Sequence, residues 1–281
     1  MILELMNVCK EYYRGKSPVP VLKNVNLEVE RGEYLAIMGP SGSGKTTLMN
    51  LIGCLDKPTE GRYILDGQEV STLSDNALAE IRNRSIGFVF QSFHLLPKMT
   101  ALDNVALPLL YAGVGQKERK ELAKKALKAV GLGDRMRFYP NQLSGGQSQK
   151  VAIARAIVTQ PKLLLADEPT GALDSEAGQQ IMDIFEGLAQ VGMTIIMITH
   201  EQEIAARAHR ICCIRDGQLQ GGLKELPNSG SEEPAFPEEP AFPEEPVFPE
   251  EPTFPEEPVF PEESVFPDTP LFPDAENGGQ P

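Results

Sequence analysis

Apolar side chains come in short bursts along this chain, and their spacing switches between two residues and nearly four. Val25, Leu27 and Val29 alternate with polar neighbours, the two-residue period of a half-buried strand. The pattern predicts strands over residues 2–9 and 19–30, with a polar loop between them holding Tyr12, Tyr13, Gly15, Pro18 and Pro20. Mainly apolar runs follow at residues 34–38, 86–90, 162–166 and 193–199. Runs this short, bounded by turn residues, read as strands buried on both faces. Helix-period segments lie between them, at residues 48–52, 74–82 with a Ser74 cap, 148–159 and 175–190; residues 116–130 line up Leu122, Ala126, Leu127 and Val130. Asp66-Gly67 and Asp216-Gly217 mark tight turns, the second joining residues 211–215 to 218–223 as a closing hairpin. Pro97, Pro108 and Pro140 break up residues 92–142, which read as a helical insertion hung on an α/β sheet domain.

Candidate chemistry gathers where the buried strands end. Residues 34–38 run into Gly39-Pro40-Ser41-Gly42-Ser43-Gly44-Lys45-Thr46-Thr47, the pattern G-x-x-x-x-G-K-[ST] between a strand and a helix. Glycines let successive backbone N–H groups converge on a phosphate chain, and the following helix adds its dipole. Lys45 is then placed to reach the β- and γ-phosphates, and the Thr46 hydroxyl to sit on Mg2+. Strand 86–90 ends at Gln91, which taken alone reads as a surface polar residue. Leu143-Ser144-Gly145-Gly146-Gln147 stands at a helix start, where it reads either as a second anion site of N–H groups or as simple N-capping by Ser144. Run 162–166 closes on Asp167-Glu168. The first carboxylate is placed to hold Mg2+ and the second to orient or deprotonate a water. Strand 193–199 ends at His200, on the edge where doubly wound sheets take ligands. His94 and His209 read as ordinary polar positions. Tyr12 reads either as a strand-edge packing residue or as a ring for a purine to stack on.

Charge changes the picture at one end only. The chain has 281 residues and a net charge of −14, but no Lys or Arg follows Lys224, and residues 232–276 hold 15 acidic side chains. Residues 1–231 carry 26 basic and 25 acidic groups, so nothing indicates a basic face for nucleic acid. Cys9, Cys54, Cys212 and Cys213 fall in apolar runs without metal or disulfide spacing, which predicts buried thiols in a reducing compartment. The start of the chain alternates like a strand rather than a secretory leader, and no apolar run reaches the length of a membrane span. A soluble cytoplasmic chain is expected.

In this order and at these spacings, the phosphate loop, Gln91, Leu-Ser-Gly-Gly-Gln, Asp167-Glu168 and His200 resemble the nucleotide-binding subunits of ABC transporters over about residues 1–225. The resemblance implies a P-loop NTPase of ABC type in residues 1–226, with a mixed central sheet, an antiparallel β subdomain and a helical insertion at about 92–160. It implies that Tyr12 stacks on adenine, that residues 39–47 bind ATP, and that Gln91 senses Mg2+ and couples to a membrane partner. It further implies that Thr46 and Asp167 hold Mg2+, that Glu168 is the catalytic base, and that His200 contacts the γ-phosphate. Ala172-Leu173-Asp174 resembles the family's D-loop. Leu143-Ser144-Gly145-Gly146-Gln147 would complete the site of a facing copy, so two chains would sandwich two ATP molecules and drive an integral membrane permease from its cytoplasmic side. Ser148-Gln149-Lys150 and Glu201 depart from the commonest family residues without touching the expected chemistry.

Residues 52–61, Phe88-Val89-Phe90-Gln91, Leu95-Leu96-Pro97 and Asn104-Val105 are similar to the lipoprotein-release and macrolide-exporter group. Amino-acid importers share most of these features, and a cell-division type of regulatory ATPase is a further alternative. ABC proteins of translation or DNA repair usually have two cassettes or a long coiled-coil insertion, neither of which is evident here. From residue 232 the chain repeats Glu-Glu-Pro-x-Phe-Pro, placing Phe236, Phe242, Phe248, Phe254, Phe260, Phe266 and Phe272 six residues apart. Residues 227–281 read as a disordered, self-repelling acidic tail or as a multivalent partner ligand on a polyproline II frame.

Overall fold

The alternation at the N-terminus builds an antiparallel sheet. In the computed structural model, which describes residues 1–221, β1 (Leu3–Arg14) pairs with β2 (Ser17–Val29) from Leu3 opposite Val29 to Arg14 opposite Ser17. β4 (Glu60–Leu65) and the short β5 (Gln68–Glu69) complete the order β2-β1-β4-β5. The polar loop expected around Tyr12 is therefore the far end of a hairpin. Tyr12 faces Val19 and Tyr13 faces Pro18, and the chain turns only at Gly15 and Lys16. Pro18 and Pro20 are compatible with pairing because β2 is an edge strand, where every second N–H points away from the ladder.

The buried runs form the second sheet: β3 (Tyr34–Met38), β6 (Ile86–Phe90), β7 (Leu163–Asp167), β8 (Thr194–Ile198), β9 (Arg210–Arg215) and β10 (Gln218–Gln220). Their order is β10-β9-β3-β8-β7-β6, parallel from β9 to β6 with β10 antiparallel at the edge. Two-residue periodicity splits the core across this sheet. Leu163, Leu165, Ile196 and Ile198 pack with the antiparallel sheet and Leu51 and Ile52, while Leu164, Ala166, Ile195 and Met197 pack with the helices on the other side.

Seven α-helices occur among the described residues: α1 (Lys45–Ile52), α2 (Asp75–Ser85), α3 (Ala101–Tyr111), α4 (Gln116–Ala129), α5 (Gly145–Ile157), α6 (Ser175–Gln190) and α7 (Gln202–Ala205). Helices α3, α4 and α5 pack on one another as the insertion. Pro108 does not break this segment; it lies inside α3. The interior cost of proline, about 3 kcal/mol, is offset by the face that α3 buries. Ala101, Val105 and Leu109 are buried there, and the fully buried Asn104 side chain bonds to the backbone of Leu96, Met99 and Thr100. No helix of the described residues is long and apolar enough to cross a membrane. Residues 222–281, with the end of the expected hairpin and every expectation for the acidic repeats, lie outside the described residues.

Candidate active site

β3, β8 and β7 lie side by side and parallel, Ile37 beside Ile198 and Ile198 beside Asp167. Whatever follows these strands must gather at one edge. The phosphate loop leaves β3, Asp167-Glu168 ends β7, and His200 follows β8, so the fold converges three of the expected groups that lie far apart in sequence. β6 joins β7 with Phe90 beside Asp167, which brings Gln91 to the same edge.

The loop is built for backbone rather than side chains. A Cβ at Gly39 would stand 2.3 Å from the Ile214 carbonyl oxygen, and Gly44, at φ +107, would push one to 2.9 Å from Leu22. The turn between β9 and β10 braces it, because the Gly217 N–H donates to the Ser43 carbonyl at 3.1 Å. Lys45 curls inward and donates to the carbonyls of Gly39 and Pro40 at 2.7 and 2.8 Å. Pro40, Ser41, Gly42 and Thr46 are exposed along the rim, whereas Ser43 is buried with its Oγ unpartnered among the described residues. A buried orphan hydroxyl is costly, and a phosphate oxygen is the acceptor that such a cradle lacks.

Burial raises the Asp167 carboxyl above its ordinary range, the charge of Glu168 adds to this, and Lys45 opposes it. The carboxylate thus stands within electrostatic reach of the loop lysine. Magnesium is typically held by one or two carboxylates together with substrate phosphates rather than by a protein cage, and Asp167 with the exposed Thr46 fits that donor set. Glu168 has φ +44, the left-handed region that a residue with a Cβ avoids. The fold pins it there, since its N–H donates to the Ile198 carbonyl at 2.9 Å and its carbonyl accepts from the Gly171 N–H at 3.1 Å. This turn aims Oε1 at His200 Nδ1, 2.9 Å away, leaving the ring more than half exposed to solvent.

Gln91 reaches across to the loop after Glu168, where a Cβ on Gly171 would lie 2.6 Å from its Nε2. Tyr12 comes in from the other sheet; its hydroxyl donates to Asp56 Oδ2 at 2.9 Å and also meets the Thr47 side chain. Sequence reading passed over several residues that support this edge. Gln149, wholly buried, donates from Nε2 to the carbonyls of Phe90 and Pro169, tying the end of β6 to the segment after Glu168. Arg155 donates to the carbonyls of Phe93 and His94, both in left-handed conformation, and so holds the turn after Gln91. Their signal in the sequence was weak, since a polar residue inside an amphipathic helix ordinarily reads as surface.

The Leu143-Ser144-Gly145-Gly146-Gln147 segment lies elsewhere. The α5 helix starts at Gly145, three residues earlier than expected, in a reciprocal cap: Gln147 N–H donates to Ser144 Oγ at 3.3 Å and Ser144 N–H to Gln147 Oε1 at 3.1 Å. The space beside Gly145 and Gly146 is bounded by Phe93, Leu173 and Ala177, none of them in the phosphate loop. Asp174 is likewise occupied locally, capping α6 through the Ala177 N–H at 2.8 Å. One chain therefore brings together residues 39–47, Gln91, Asp167, Glu168, His200 and Tyr12, but not residues 143–147 or Asp174.

A family profile described as ABC transporter matches residues 22–171. The Bacillus subtilis ABC transporter ATP-binding protein YvrO is 59% identical over 218 residues, which are 78% of this chain and 95% of that one. The macrolide export ATP-binding/permease protein MacB of Brucella melitensis is 51% identical over 218 residues, but these are only 34% of its length. Among solved structures, the dimeric post-hydrolysis state of the cassette MJ0796 bound to ADP and Pi superposes with a TM-score of 0.73 at 45% identity, over 79% of this chain and 98% of that one. With the converging strand ends and the glycine cradle already in place, these likenesses settle the family: the chain belongs to the ATP-binding, ATP-hydrolysing subunits of ABC transporters.

Proposed function

We propose that two copies of this chain close head to tail around two ATP molecules, and that the cycle of closing and opening powers export by a separate membrane permease. One observation carries this reading: the rim of the phosphate loop and Ser144 and Gly145 of the Leu-Ser-Gly-Gly-Gln segment are exposed, yet the neighbours of Gly145 and Gly146 within the chain are Phe93, Leu173 and Ala177 rather than the loop. A second copy would bring Ser144 and the N–H groups of Gly145 and Gly146 to the γ-phosphate, with Leu143, Gln147 and Asp174 framing them. Each such charge-assisted hydrogen bond exists only in the closed pair, so ATP would drive closure and its hydrolysis would release it.

Within the site, the loop of residues 39–47 binds the triphosphate through its backbone N–H groups, Pro40 having none, and through the ammonium of Lys45, and the ring of Tyr12 stacks on adenine. Thr46, Gln91 and Asp167 would hold Mg2+, which when bound neutralises phosphate charge. Glu168 accepts a proton from the attacking water, and His200, oriented by its contact with Glu168, faces the γ-phosphate. The names of the MacB relatives support export. A groove of about 710 Å3 between α2, β6 and α3, lined by Leu55, Phe88, Phe90, Leu107, Tyr111 and Ala156, suits a cytoplasmic helix of the permease. Such docking would keep the subunit on the inner face of the cell membrane. The test is a Glu168→Gln variant on size exclusion with light scattering. ATP should shift it to twice the monomer mass while ADP should not; a monomer under saturating ATP would refute the paired site.

A further inference from the structure

The site described above leaves two charged groups unused. Lys10 is only 9% exposed, and Asp56 lies just past α1. Lys10 Nζ donates to Asp56 Oδ1 at 2.6 Å and to the Lys57 carbonyl at 2.8 Å, and the Lys57 N–H closes on the same Oδ1 at 2.7 Å. The other oxygen, Oδ2, accepts from the Tyr12 hydroxyl at 2.9 Å. Lys10 and Tyr12 stand two residues apart on β1 and so share a face, and the Lys10 ammonium lies 5.0 Å from the centre of the Tyr12 ring. The intervening Glu11 N–H donates to Thr59 Oγ1 at 3.0 Å, and the Thr59 N–H to the Cys9 carbonyl at 2.9 Å. Residues 9–12 are thus sewn to residues 56–59, the segment that continues from the phosphate-loop helix.

We propose that Asp56, together with Lys10, is a positioning residue for the nucleotide base: it fixes the Tyr12 ring in register with the phosphate loop, so that base and triphosphate are bound as one unit. The inference rests on the reading of Tyr12 as the adenine-stacking ring. A tyrosine near the tip of an exposed hairpin would otherwise lose rotamer freedom each time it met a base. Here its hydroxyl is already tethered, and one ring face is covered by Lys10. Burial works against the Asp56 charge, yet the bonds from Lys10, from the Lys57 N–H and from Tyr12 hold its carboxyl below the usual range. The bracket is therefore charged and set before any nucleotide arrives. Because α1 begins at Lys45 and the Asp56 segment follows its end, the distance from ring to phosphate cradle is governed by one rigid helix rather than by the hairpin.

The test compares steady-state ATPase kinetics with inhibition by inorganic tripolyphosphate, which carries the phosphates without a base. Asp56→Asn should raise KM for ATP about three- to tenfold with kcat retained and tripolyphosphate inhibition unchanged. Tyr12→Phe keeps the ring and loses the tether, so it should shift KM in the same direction. The double variant should be no worse than Asp56→Asn alone, since on the path to the Tyr12 ring both variants act through the same Tyr12–Asp56 bond. If Tyr12→Ala raises KM while Asp56→Asn and Tyr12→Phe do not, the bracket is refuted and the stacking role of Tyr12 survives. If Tyr12→Ala leaves KM unchanged, the stacking reading itself fails. Equal loss of ATP and tripolyphosphate binding in Asp56→Asn would also overturn the proposal, because Asp56 would then serve the phosphate loop or the fold at large.

Discussion

The phosphate-loop edge and the start of α5 are both glycine-rich helix N-termini, yet they are finished differently. At the first, the loop around Gly39 and Gly44 is braced by neighbours from β2 and β9 and leaves the buried Ser43 hydroxyl unsatisfied. At the second, Ser144 and Gln147 satisfy each other's backbone in a reciprocal cap, and the one buried orphan of α5 among the described residues, Gln149 Oε1, lies past the first turn of that helix rather than in the glycine pair. An open cradle asks for a ligand from solution. A self-capped helix start is stable unliganded and can lend its exposed N–H groups to an anion that another molecule already holds. On this view the two regions are halves of one site divided between copies, and several experiments bear on that division.

The largest effect is expected at Glu168. Its left-handed backbone and its contact with His200 are what a mechanism has to account for, and Glu168→Gln keeps both shape and turn. Turnover should fall by about 10³-fold or more, with ATP binding retained; activity near the parental level would remove Glu168 as the base. Mixing two inactive chains sharpens the contrast most directly. Lys45→Ala disables the cradle, and Gly145→Asp sets a negative charge at the exposed start of α5. Alone, each should be inactive. Mixed in equal amounts, half of the dimers would be hybrids with one intact composite site, so hydrolysis should return toward about a quarter of the parental rate. No rescue would mean that each chain uses its own α5.

A smaller effect concerns stability. Burial and the Glu168 charge raise the Asp167 carboxyl above its ordinary range. A group whose folded pKa exceeds its unfolded value contributes stability below the unfolded value, and that contribution is lost as pH rises through the folded one. Asp167→Asn should therefore raise the Tm of the nucleotide-free protein by ~1–3 °C at about pH 8, with little change at about pH 4. It should do so while abolishing turnover. A lower Tm at the higher pH would contradict the strained-carboxylate reading. The smallest effect is expected from deleting residues 231–281, which should leave ATPase activity within about twofold of the parent because every group assigned to the site precedes them. Loss of activity would give the acidic repeats a catalytic part.

Much of the fold was legible because its signals are local. The runs at residues 86–90 and 175–190 became β6 and α6 with those bounds, and Ser74 caps α2 as its spacing predicted. Failures arose where distant residues outvoted the local signal. Pro18 and Pro20 read as breakers until β2 proved to be an edge strand, and Pro108 until α3 proved to bury Asn104 and Leu109. Gln149 and Arg155 had no readable role, because their partners are backbone carbonyls some 20 to 62 residues away.

By itself the sequence determined which groups are the candidates for the chemistry: a glycine-framed lysine, carboxylates and a histidine at strand ends, and a second glycine pair before a helix. These are matters of residue type and near spacing, and they constrain the backbone wherever it goes. Only the tertiary structure decided which of them meet. Parallel pairing of β3, β8 and β7 stacks three strand ends into one edge, while the insertion carries residues 143–147 away to pack beside Leu173 and Ala177. Contact across such separations depends on sheet order and helix packing, which no short stretch of the chain encodes.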